Sequence, residues 1–115
     1  IDIEAYGERV RKVESRFVRE DEMPERARME SHEELYQLLL HWSAKETMYK
    51  VLDTEEVDFL QHLKVCSFRL SSFGTFIGES YRKSSKTRFL IYYLIHPDFV
   101  CTYCLNAETD RTNNR

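Results

Sequence analysis

An all-α bundle of four to five helices is the fold class this sequence predicts. Three observations carry that prediction. Gly and Pro are scarce, at three and two in 115 residues, which disfavours turn-rich sandwiches and barrels. Apolar residues make up 42% of the chain and aromatics 13%, enough to build a core. The run Ser31 to Leu52 contains no Gly or Pro and has a broad apolar face. The alternative is an α+β fold with a C-terminal β-hairpin over 88–105.

The first expected element is a heptad-like helix over 1–20. Ile3, Tyr6, Val10, Val13 and Phe17 recur at alternating spacings of three and four, the pattern of a coiled-coil seam. Glu8 and Lys12 form an i,i+4 pair. Gly7 weakens the helix locally, by up to ~1 kcal/mol relative to Ala. The polar connector 21–30 contains Pro24.

The central helix opens with Ser31 and Glu34, a capping-box spacing. Leu35, Leu38, Leu39, Trp42 and Leu52 fall on one face, widened by Tyr36, Leu40 and Tyr49. So broad a face implies neighbours on several sides. Asp53 and Glu56 repeat the capping spacing, and Val57, Leu60, Leu63 and Phe68 follow at core-type intervals. The spacing predicts a helical hairpin over 31–72.

C-terminal helices are expected over 75–105. Gly74 and Gly78 stand four apart and within a helix would give a smooth strip for close approach, but a break is preferred, with Gly74 as a helix C′ residue and Thr75 capping the next turn. The runs 89–95 and 99–105 are rich in β-branched and aromatic residues, which also suits strands. An isolated two-stranded hairpin is marginal in water, and the sequence shows no obvious third strand upstream, so helix is preferred. The whole reads as a single helical domain over 1–105 with a polar tail at 106–115.

The net charge of −3 hides an asymmetry. Residues 1–60 carry nine Lys/Arg against sixteen Asp/Glu, and residues 61–115 carry eight against four. The basic residues cluster at Arg82, Lys83, Lys86 and Arg88, a candidate anion or nucleic-acid contact. A pI near 5.8 argues against a dedicated nucleic-acid domain.

Chemistry is hard to find by motif. Cys101 and Cys104 form a CxxC, but no Cys or His follows to complete a zinc site. The four histidines are scattered, and none stands in a metalloprotease pattern. No nucleophile elbow, P-loop or dinucleotide fingerprint occurs. No metal, cofactor or catalytic residue is expected, and the chain is read as a non-enzyme. The expected function is a non-catalytic protein–protein interaction or self-association domain. It would bind a protein partner or a second copy through Ile3, Tyr6, Val10, Val13 and Phe17. A nucleic-acid-associated module using the 82–88 patch is the alternative. The odd cysteine count, the missing signal and the start at Ile1 suggest a fragment of a larger intracellular protein. No run is apolar enough to suggest a membrane span.

Overall fold

A single long helix lies across one face of a five-stranded antiparallel sheet. The computed structural model describes residues 1–53, 56–81 and 85–111, with the backbone alone at 110 and 111. The strands are β1 (Asp2–Ala5), β2 (Leu63–Val65), β3 (Phe73–Ser80), β4 (Ser85–Ile95) and β5 (Phe99–Arg111). Their order is β1-β5-β4-β3-β2. The helices are the four-residue α1 (Arg9–Lys12) and the 22-residue α2 (Ser31–Leu52). Short 3₁₀ turns lie between them.

This α+β architecture corrects the all-α bundle. The preferred C-terminal helices of 75–105 are strands. The hairpin β4–β5 is not isolated, because β3 pairs along one side of β4 and β1 along the outer side of β5. Those extra strands remove the objection that made a hairpin there look marginal. Phe89, Ile91 and Tyr93 point into the core at every second position, while Leu90 and Leu94 point out. That is the period of a half-buried strand.

The expected helix over 1–20 is broken into β1, α1 and a 3₁₀ turn. Its heptad residues therefore do not share a seam. Ile3 lies exposed on the outer sheet face, and Phe17 is fully buried in the core. The hairpin over 31–72 keeps only its first helix. α2 stops where Asp53 turns left-handed at φ 50°, its N–H bonded to the Tyr49 carbonyl. The second capping signature lies partly outside the described residues, at Thr54 and Glu55. Beyond it, Leu63 and Val65 are both fully buried at a spacing of two and enter the sheet as β2.

α2 is buried on several sides, which fixes its depth in the fold. Leu38, Leu40, Ala44 and Met48 are fully buried. Gly78 lets the sheet approach: a Cβ there would stand 2.6 Å from Met48 Sδ. The expected break at Gly74 is not found: both glycines lie within β3, and Gly74 faces the Tyr93 ring of the next strand instead of α2. The helix start is capped one residue earlier than the sequence suggests, with Glu30 and Glu33 forming the box. Glu34 is free to bind Arg11 and Arg26 at 2.6 Å each.

Candidate active site

Strand period two decides the first part of the site. Asp2 and Glu4 stand opposite Thr102 and Val100 on the helix-facing side of β1, while Ile3 and Ala5 face outward. Helix period decides the second part. Ser43, Glu46, Thr47 and Lys50 lie at i, i+3, i+4 and i+7 on the α2 stripe that meets this edge. The two elements are tied by small hydroxyls. Ser43 Oγ donates to the Asp2 carbonyl at 3.2 Å and sits 2.9 Å from Thr102 Oγ1. Thr47 Oγ1 sits 2.8 Å from the same Thr102 hydroxyl. Lys50 Nζ donates to the Ile1 carbonyl at 2.8 Å and pairs with Asp2 Oδ1 at 3.4 Å.

Three carboxylates, Asp2, Glu4 and Glu46, thus share one small acidic face. Its electrostatics are strained. The Glu4 carboxyl is pushed up to about 7, first by burial, then by the adjacent Asp2 and by repulsion from Glu46; the Trp42 indole works in the opposite direction. Burial and Asp2 also raise Glu46, against a lowering pull from Lys50. Among the described residues, Asp2 Oδ2 has no hydrogen-bond partner although it is buried. It is the acceptor available to a protonated Glu4. A buried polar atom left unmatched is costly, and like charges gathered at one place are a recurrent sign of a functional site.

Beside this face opens a cleft of about 500 Å³. Leu39, Trp42, Val10 and Val13 give it an apolar floor; Glu4, Arg9 and Arg16 supply charge. Apolar walls with a few convergent polar groups are what a small-molecule site requires. Another hollow, of about 630 Å³, is lined by Arg28, Gln37, Phe68 and Arg69, and by none of the three carboxylates.

The residues singled out in the sequence are scattered across the fold. Val10 and Val13 line the cleft. Tyr6 donates its hydroxyl to the His96 carbonyl. Phe17 packs edge-on against Trp42 at 5.2 Å. Arg82 and Lys83 lie outside the described residues. Lys86 and Arg88 both lean on Glu79, at 3.3 and 4.0 Å. Cys101 and Cys104, three apart in β5, point to opposite faces of the sheet. The acidic face itself was missed. One signal could have found it: the Asp2-x-Glu4 alternation at the start of the chain.

The model of the 4′-phosphopantetheinyl transferase superfamily (ACPS) matches residues 1–104. The chain belongs to this superfamily. The match runs from just ahead of β1 through α2 into β5, so it includes all three carboxylates and the cleft. No curated protein matches the sequence, and no solved structure does. A transferase superfamily is a superfamily of enzymes, which corrects the expectation of a non-enzyme. It also replaces the helical scaffold, the self-association domain and the nucleic-acid module. A protein partner remains, because transferases of this superfamily act on carrier proteins. Among the described residues, no helix is long and apolar enough to cross a membrane.

Proposed function

We propose that this chain transfers a 4′-phosphopantetheinyl group onto a hydroxyl of a carrier protein, using the face formed by Asp2, Glu4 and Glu46. The observation that carries the reading is that face, set beside a cleft with two arginines, within a chain of the transferase superfamily. Moving a phosphopantetheinyl unit is a phosphoryl-type transfer. The donor must hold its phosphate in an anhydride, as coenzyme A does. The acceptor hydroxyl oxygen bonds to that phosphorus, the anhydride P–O bond breaks, and the nucleotide phosphate leaves. In such reactions the protein's work is positioning and charge stabilisation.

The chain's own residues suit those tasks. Arg9 and Arg16 at the cleft can meet the donor phosphates. Leu39, Trp42 and the two valines offer an apolar surface to the pantetheine arm. The hydroxyl proton passes to Glu4, whose carboxyl, pushed up to about 7, suits uptake near neutrality. The segment holding Val10 and Val13, expected from its spacing to be a partner-binding helix, becomes the cleft wall next to the arriving carrier. Phe17 supports it from the core.

Phosphoryl transfer commonly employs a divalent cation. Among the described residues, no three His, Cys, Asp or Glu side chains converge as a ready metal cage. Mg²⁺ does not demand one, since it is bound through one or two carboxylates plus substrate phosphates. The hard oxygen donors and the unpartnered Asp2 Oδ2 fit such an ion. Asp2, Glu4 and Glu46 are the carboxylates from which those one or two would come. When bound, it would neutralise phosphate charge during transfer.

The test is to incubate the protein with coenzyme A, Mg²⁺ and an unmodified carrier protein, then weigh the carrier by mass spectrometry. A gain of one phosphopantetheinyl unit is expected. Absence of any gain across several carriers overturns the reading.

A further inference from the structure

Glu46 has no anchor of its own. Among the described residues, no hydrogen bond or ion pair of 4.0 Å or less fixes its carboxyl. The residue before it is anchored completely. Lys45 is fully buried, and its ammonium donates to the Phe17 carbonyl at 2.6 Å, Glu22 Oε1 at 2.9 Å and the Phe59 carbonyl at 3.1 Å. Those three bonds use its whole donor set. Glu22, also buried, accepts the Arg19 N–H at Oε1 (2.8 Å) and the Val65 N–H at Oε2 (2.7 Å). One ion pair thereby joins α2, the end of the first 3₁₀ turn, the 19–22 turn, the loop at Phe59 and strand β2.

We propose that the Glu22–Lys45 pair is the positioning element of the acidic site. Successive helix residues differ in direction by about 100°, so locking Lys45 toward the 17–22 segment fixes where Glu46 points. The same ammonium holds the Phe17 carbonyl, and the preceding residue, Arg16, lines the cleft together with Glu4. A single buried charge therefore sets both the third carboxylate and the basic wall. Packing alone does not explain the pair. Replacing a buried ion pair by apolar side chains of similar volume is often neutral or stabilising, so what the pair adds is direction. Lys45 and Glu22 touch no substrate in this scheme; they are positioning residues.

The inference rests on the acidic face being the reactive site, and its test reads binding separately from transfer. The double variant Glu22→Met/Lys45→Met removes both charges together. It is compared with the native protein by far-UV circular dichroism, by Mn²⁺ titration followed by electron paramagnetic resonance, and by KM and kcat with coenzyme A. A folded double variant is expected to bind Mn²⁺ at least about tenfold more weakly and to lose about a hundredfold in kcat/KM, the scale of a misplacement near 1 Å. A folded double variant with native Mn²⁺ affinity and native KM overturns the proposal. Should the double variant not fold, Glu22→Gln is judged by the same measurements. If the native protein transfers nothing yet its Mn²⁺ affinity still depends on the pair, the transferase reading fails and the positioning role stands.

Discussion

Lys45 and Glu46 are neighbours in the sequence and opposites in the structure. On one side of α2, Lys45 meets an opposite charge and two carbonyls in a dry, fully matched knot. Elsewhere around the same helix, Glu46 meets Asp2 and Glu4, which carry its own sign. Burial lowers the proton affinity of Lys45 and raises that of Glu46, so in both it opposes the charged form. Glu22 works against that loss at Lys45, whereas Asp2 works further against the charge of Glu46. A matched buried charge organises the fold around it. A mismatched one stores tension that a ligand can relieve, and functional sites are where such local conflicts are tolerated.

Breaking the matched side should have the largest effect on folding. Lys45→Met alone leaves the Glu22 carboxylate buried without its partner and should cost ~3–5 kcal/mol. Chemical denaturation with a linear extrapolation measures it; a loss below ~1 kcal/mol would show that the knot is not a structural hub.

The mismatched side should respond in activity. Asp2→Asn is expected to reduce transfer by about 10²–10³-fold, the range for removing one preorganised electrostatic group. Steady-state kinetics with a carrier acceptor reads this directly. Glu4→Gln sharpens the contrast. It should lower activity while raising the melting temperature, because it removes a charge repelled by Asp2 and Glu46. Stability gained where function is lost is the signature of a site under tension.

Gly78 tests how closely the sheet must approach α2. Gly78→Ala places a Cβ against Met48 Sδ and should cost ~1–3 kcal/mol by overpacking. Met48→Ala in the same chain should recover part of that loss, measured as a coupling in a double-mutant cycle.

The smallest effect concerns pH. His41 is fully buried, its Nδ1 2.8 Å from the Gln37 carbonyl, and burial lowers its pKa, countered in part by Glu22. The unfolded chain binds a proton near the ordinary value of 6.5 that the native chain refuses. Stability should therefore be complete above about pH 6.5 and decline as pH falls through it. His41→Phe should flatten that slope in melts taken between about pH 5 and pH 7.

Local pattern by itself determined α2. Its lack of Gly and Pro and its wide apolar face are contained in consecutive residues, and helix hydrogen bonds close within four residues; its caps fall at Glu30 and Asp53, which spacing does not read correctly. The β character of 89–95 and 99–105 was legible too, in their aromatic and β-branched side chains. Whether they became strands was not, because a strand needs partners. Those partners, Asp2–Ala5 and Phe73–Ser80, are separate stretches of the chain, one of them at its far end. The same distance hid the site. Asp2 and Glu4 precede Glu46 by more than forty residues, and only the pairing of β1 with β5 beneath α2 sets the three carboxylates together. Heptad spacing over Ile3 to Phe17 misled for a related reason: the pattern records which residues are apolar, and tertiary structure decides which of them share a face. Nothing in the residues around Lys45 marks it as buried; the fold alone brings Glu22, Phe17 and Phe59 around its ammonium.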